Sequence, residues 1–109
     1  MPVQLVLCTA PDSPEAQRLV RTLVEERLVA CGNIVPGVTS LYRWLGEVEQ
    51  ASEVLIVFKT TTQAWPRLKE RMVELHPYEV PELLLVNVED GTASYLEWVS
   101  QSTQPVSSS

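Results

Sequence analysis

Val54-Leu55-Ile56-Val57-Phe58 and Leu83-Leu84-Leu85-Val86 are unbroken apolar runs, and their reading decides the fold. Each is short and bounded by polar or turn-forming residues, which reads as a strand. Successive side chains of a strand point to opposite faces. Both faces of both strands are therefore apolar over their centres, whereas an antiparallel sheet with one face in water alternates apolar and polar. If six such side chains stayed in water, at about 1.5–3 kcal/mol each, roughly 10 kcal/mol of burial would be forgone. That is comparable with a whole domain's net stability, about 5–15 kcal/mol. Something must cover the second face. A second copy of the chain would do so, and so would the C-terminal helix and tail folding back.

Upstream of the first run, Val3–Thr9 reads as a strand that stops at Ala10-Pro11-Asp12. Ser13 followed by Pro14 predicts a helix start, with Ser13 as the capping side chain. Ala16, Leu19, Val20 and Leu23 recur at helical spacing, Leu28 extends the stripe, and Cys31-Gly32-Asn33 is expected to end the helix. Ile34-Val35 and Val38–Leu45 form an extended segment that Pro36-Gly37 interrupts as a bulge or bend. Gly46 with Glu47 and Glu49 reads as a hairpin tip before the strand Glu53–Thr60. Thr61 or Thr62 is expected to cap a second helix carrying Trp65, Leu68, Met72 and Leu75, which His76-Pro77 ends. Tyr78–Glu82 is a loop, Leu83–Val88 a strand, and Ala93–Ser100 a short helix.

The order β-α-β-β-α-β plus a terminal helix is the α+β, ferredoxin-like split βαβ arrangement. It predicts one domain over residues 1–100 and a flexible polar tail over 101–109.

With 109 residues, 45% apolar and 20% charged, the chain has the composition of one globular domain. A net charge of −6, with the eight basic residues scattered among acids, argues against a nucleic-acid partner. No apolar run approaches the roughly 20 residues that span a membrane, and Met1-Pro2-Val3-Gln4 lacks a signal peptide's basic start. The expectation is a cytoplasmic protein with no membrane partner, in which Cys8 and Cys31 are free thiols.

The chemistry-bearing residues are few. Cys8 is a soft-metal ligand by type, yet it sits in an apolar strand where a buried thiol is a common packing residue, and the same holds for Cys31. His76 is the only histidine; it is either one ligand of an incomplete site or a helix-terminal residue. Glu79 and Glu82 lie in the Pro-stiffened loop after it. Tyr42, Trp44 and Trp98 suit a pocket, an interface or the core. Lys59 stands alone among apolar neighbours, as an anion-binding group or as the mark of an exposed strand end. No nucleophile elbow, phosphate-binding loop, zinc-protease pair or dinucleotide fingerprint occurs, so no enzymatic activity is expected.

Ala30-Cys31-Gly32-Asn33-Ile34-Val35-Pro36-Gly37-Val38-Thr39-Ser40, continuing through Leu41–Glu49, resembles the central signature of the divalent-cation tolerance (CutA) family. Lys59-Thr60-Thr61, His76-Pro77-Tyr78-Glu79-Val80-Pro81-Glu82 and Tyr95-Leu96-Glu97-Trp98 resemble further blocks in the family's order. The resemblance implies a homotrimer with sheets inside and helices outside, similar in architecture to PII signalling proteins. It also implies a role in tolerance of divalent metals, copper above all. By this likeness Cys8 matches a copper-ligating cysteine and His76 the second of two consecutive histidines, where Leu75 stands in the first position. It places Cys31, Tyr42, Trp44, Lys59, His76, Tyr78, Glu79, Glu82 and Trp98 along a cleft between subunits. A PII-like sensor that binds a small ligand in that cleft is the alternative reading.

Overall fold

The computed structural model of the chain describes residues 2–105. In chain order the elements are β1 (Val3–Ala10), α1 (Ser13–Glu25), β2 (Cys31–Trp44), β3 (Glu47–Thr61), α2 (Trp65–Leu75), β4 (Leu83–Asn87) and α3 (Ala93–Ser102). The strands form one antiparallel sheet in the order β2-β3-β1-β4. This is the ferredoxin-like split βαβ arrangement expected from the element order.

α1 and α2 lie on one face. Val6, Cys8 and Ala10 of β1, Val54, Ile56 and Phe58 of β3, and Leu19, Leu23, Leu68 and Met72 of the helices form one buried cluster. A bidentate Arg71–Glu26 pair ties α2 to the end of α1.

Both ends of α1 differ from expectation by a few residues. Asp12, not Ser13, is the N-cap: it is extended, and its carboxylate accepts from the Glu15 amide at 2.9 Å. Ser13 is already helical. The helix stops at Glu25, well before Cys31-Gly32-Asn33, which instead opens β2. The left-handed residue is Arg27, at φ 60°. Its amide donates to Val24 O at 3.1 Å and the Leu28 amide to Leu23 O at 3.0 Å, the paired bonds of a Schellman motif. Leu28 and Leu23 join the same core, and their contact fixes the stop without a glycine. A non-glycine left-handed residue costs about 1 kcal/mol. Arg27→Gly is therefore expected to raise stability by about that amount, read as a higher urea midpoint at unchanged slope.

The hairpin tip also differs. It is the two residues Leu45 and Gly46, at φ 51° and 83°, the geometry of a tight type I′ turn. Glu47 and Glu49 thus belong to β3, which begins six residues earlier than expected and makes the hairpin longer. Thr61 accepts from the Ala64 amide at 3.3 Å in the turn before α2, but the N-cap position itself is Ala64. α3 runs two residues past Ser100. Thr103 behind it is buried and donates to Val99 O at 3.0 Å, so the start of the expected polar tail is packed. Residues 106–109 of that tail lie outside the described residues.

Candidate functional site: the bare sheet face and its arm

Strand register assigns every residue to a face. Leu5 and Leu7 of β1 stand beside Leu55 and Val57 of β3, and beside Leu84 and Val86 of β4. Val35 of β2 stands opposite Leu55. All seven lie on the face away from α1 and α2. Leu84 is 55% exposed, Val35 and Val86 are exposed as well, and the others are only partly covered.

α3 covers one end of this face and no more. Val99 packs with Val3 and Ala30, Thr103 Oγ1 meets Thr61 Oγ1 at 3.3 Å, and Tyr95 OH meets Cys31 Sγ at 3.7 Å. The terminal helix therefore leaves the centre of the apolar face bare.

The arm extends the same face. β3 pairs with β1 only from Val54 onward, so Glu47–Glu53 pairs with β2 alone and the hairpin projects as a two-stranded ribbon. The longest extent of the molecule is 51 Å and its radius of gyration 14.8 Å, where a compact chain of this length has about 13 Å. The register shifts between Val35 and Val38, where Gly37 takes φ 80°. This is the bulge that Pro36-Gly37 announced. Its extra residue flips the side-chain parity of β2. Beyond it Val38, Tyr42 and Trp44 pair with Glu53, Glu49 and Glu47, the β3 residues in line with Leu55 and Val57. Two aromatic side chains thus join the bare face. Isolated two-stranded ribbons are marginal in water. This one nonetheless exposes Leu41, Tyr42, Trp44, Leu45 and Val48.

The residues assigned to a cleft fall into separate groups within one subunit. Cys31 and Lys59 are cross-strand partners beside α3; Tyr95 touches Cys31, and its ring lies tilted against that of Trp98 with centroids 5.5 Å apart. The Cys31 contact and then burial raise the Tyr95 phenol above its usual range. Sequence reasoning passed over Tyr95 as a site residue. Tyr78 lies at the opposite end of the sheet, where its phenol donates to Glu53 Oε2 at 2.7 Å. Burial first, and then that carboxylate, push its pKa well up. Glu53 was also missed, because its partner is 25 residues away in the chain. Beside Glu53, a cavity of about 280 Å³ opens where the arm leaves the sheet, lined by Pro11, Gly37, Val38, Thr39, Ser52 and Val54. Glu79 and Glu82 lie on the loop before β4, Glu79 exposed and Glu82 exposed, and Trp44 lies near the arm's tip.

Cys8 and His76 do not fit a copper site as they are arranged in the folded subunit. Cys8 is fully buried in the helix-side core. Burial first, then Glu82 and Glu53, push its thiol from 9.0 up to about 12, so the thiolate that binds metal is disfavoured. His76 Nδ1 accepts the Tyr78 amide at 3.1 Å, which puts the ring proton on Nε2, and Nε2 donates to Thr9 O at 2.7 Å. No ring lone pair is left for an ion. Among the described residues no three His, Cys, Asp or Glu side chains are grouped so as to hold one.

The buried thiol has a measurable consequence. The folded state holds the Cys8 proton more tightly than the unfolded chain, so this contribution is complete below pH 9 and is lost as the pH rises from about 9 through about 12. Cys8→Ala is expected to show a shallower loss of urea stability between about pH 9 and 11 than the parent. Parallel declines would assign the effect to other groups.

Residues 4–102 match the family model described as CutA1 divalent ion tolerance protein. The chain belongs to the CutA1 family. Among CutA relatives, the divalent-cation tolerance protein CutA of Thermus thermophilus is 50% identical over 100 residues, spanning 92% of this chain and 97% of that one. Protein CutA of Mus musculus is 43% identical over 107 residues; these span 98% of this chain but only 60% of the mouse protein. A solved divalent cation tolerance protein (Cut A1) from Thermus thermophilus superposes with a TM-score of 0.91 at 49% identity, covering 94% of this chain and 99% of the other. The CutA1 description names tolerance of divalent ions and no reaction.

Proposed function

We propose that this protein contributes to divalent-cation tolerance as a homotrimer whose subunits bury their bare sheet faces and arms against one another, and that it is not an enzyme. One observation carries the reading. An apolar face of seven side chains runs on into a ribbon bearing Tyr42 and Trp44, and α3 covers only one end of it. Each large aliphatic side chain fully buried contributes about 1.5–3 kcal/mol, so covering this face has an energy on the scale of the fold itself. The number three rests on the family likeness. Copper, or another divalent cation, is the ion that likeness implies, and the closed state of Cys8 and His76 argues against their serving as its ligands in the folded subunit. Sedimentation equilibrium tests the assembly. The expected species has three times the 12.2 kDa chain mass, and a stable single chain at micromolar concentration would remove the reading.

A second reading, a small-ligand cleft between subunits as in PII-like proteins, is favoured by one grouping. Lys59, Cys31, Tyr95 and Trp98 offer a cation, a thiol and two aromatic rings at the border of the bare face. A thermal-shift screen of metabolites decides it: a compound that stabilises the parent but not Lys59→Ala supports the cleft.

A further inference from the structure

The geometry points to His76 and Tyr78 as a strap that sets where the β2–β3 arm leaves the sheet, with His76 a positioning residue in place of an ion ligand. β3 has two halves. From Val54 onward it lies between β1 and β2; up to Glu53 only β2 supports it. Glu53 is therefore the hinge residue, next to the Val54–Ala10 pair on one side and opposite Val38, just past the bulge, on the other. A two-stranded ribbon leaving a sheet has no third strand to fix its direction, and a bulge adds local twist and bend. Among the described residues, the Tyr78–Glu53 bond is the only side-chain hydrogen bond between residues 38–53 and the rest of the chain.

Tyr78 can hold Glu53 only if Tyr78 is itself held. Its amide donates to His76 Nδ1, the two rings lie 4.8 Å apart, and Pro77 between them limits the backbone. His76, 7% exposed, donates from Nε2 to the carbonyl of Thr9, whose neighbour Ala10 pairs with Val54. The chain of contacts thus starts on β1 and ends on the hinge carboxylate of β3. It uses both imidazole nitrogens. A neutral imidazole, donor on one edge and acceptor on the other, is the group this geometry requires.

The consequence for assembly rests on the proposed self-association. An arm held at one angle to the bare face presents both surfaces to a second copy without first losing that freedom on association. The strap itself is a property of the single subunit, so it can fail or hold whatever the oligomeric state.

Hydrogen exchange by mass spectrometry on the full chain tests it, comparing the parent with Tyr78→Phe, Glu53→Gln and His76→Ala at one concentration. Tyr78→Phe removes one hydroxyl and leaves the core intact. It is expected to speed exchange of amides in 38–53 by about tenfold relative to those of α1 and α2, as befits loss of a hydrogen bond to a charged group. His76→Ala should do the same, and Glu53→Gln, whose amide oxygen still accepts, should stay nearer the parent. An unchanged 38–53 segment in Tyr78→Phe, or a uniform change along the chain, would overturn the strap. Calorimetry with copper(II) supplies the second readout. Equal heats for His76→Ala and Tyr78→Phe are expected, and a heat lost only in His76→Ala would return His76 to the ion. Sedimentation of the parent decides the assembly separately.

Discussion

Leu84→Glu is expected to leave the subunit folded and to abolish its self-association. Leu84 sits on the edge strand β4, beside Leu7 on the bare face, where 55% of it meets solvent in the isolated subunit. A glutamate there costs the monomer little, since surface substitutions are usually within about 0.5 kcal/mol. In an assembly that covers this face, each copy would bury a carboxylate without a partner, at several kcal/mol per ion. Every interface would carry that penalty, so the association constant should fall by more than about 1,000-fold. Sedimentation velocity at micromolar concentration should show the single chain, with far-ultraviolet circular dichroism unchanged. An unaltered oligomer would mean that the interface lies elsewhere. Val73→Glu, at an exposed apolar residue on α2, is the matched control and should change neither property.

Phe58→Ala is expected to cost about 3–5 kcal/mol of unfolding free energy, the usual range for an aromatic deletion in a core. Phe58 is fully buried among the side chains of both helices and β1. It also lies at a close approach of elements. A Cβ built on its cross-strand partner Gly32 would stand 2.9 Å from Val20 Cγ2 and 3.1 Å from the Phe58 ring. The space vacated by the ring opens beneath α1, where the backbone is already held near and has little room to collapse. Urea titration at fixed protein concentration measures the loss, because self-association would otherwise shift the midpoint. A loss under about 1 kcal/mol would mean that the helix face of the sheet repacks freely.

How much of this was legible in the chain differs by element. The strands of the apolar runs, the bulge at Pro36-Gly37 and the stop of α2 at His76-Pro77 are written locally, in side-chain type and backbone preference. Asp12 and Ser13 are equally good capping residues, and only the backbone angles separate them. Arg27 carries no left-handed signature; the Leu23–Leu28 contact holds it there. The hairpin's length was hidden because Glu47 and Glu49 look like turn residues, while a two-residue turn at Leu45-Gly46 makes them strand. The resemblance nominated Cys8 and His76 by residue type and position. Whether the thiol is buried depends on the helices packed over it, and whether the imidazole already has two partners depends on Thr9, 67 residues away in the chain, as well as on nearby Tyr78.

By itself the sequence determined the element order and an apolar sheet with more greasy surface than two helices can cover, because strand alternation and burial energies are local and additive. Only the tertiary structure decided which face stays bare, that the bulge turns Tyr42 and Trp44 onto it, and that His76 is engaged on both edges. Those facts depend on register and on contacts between residues far apart in the chain, where a shift of one residue exchanges inside for outside.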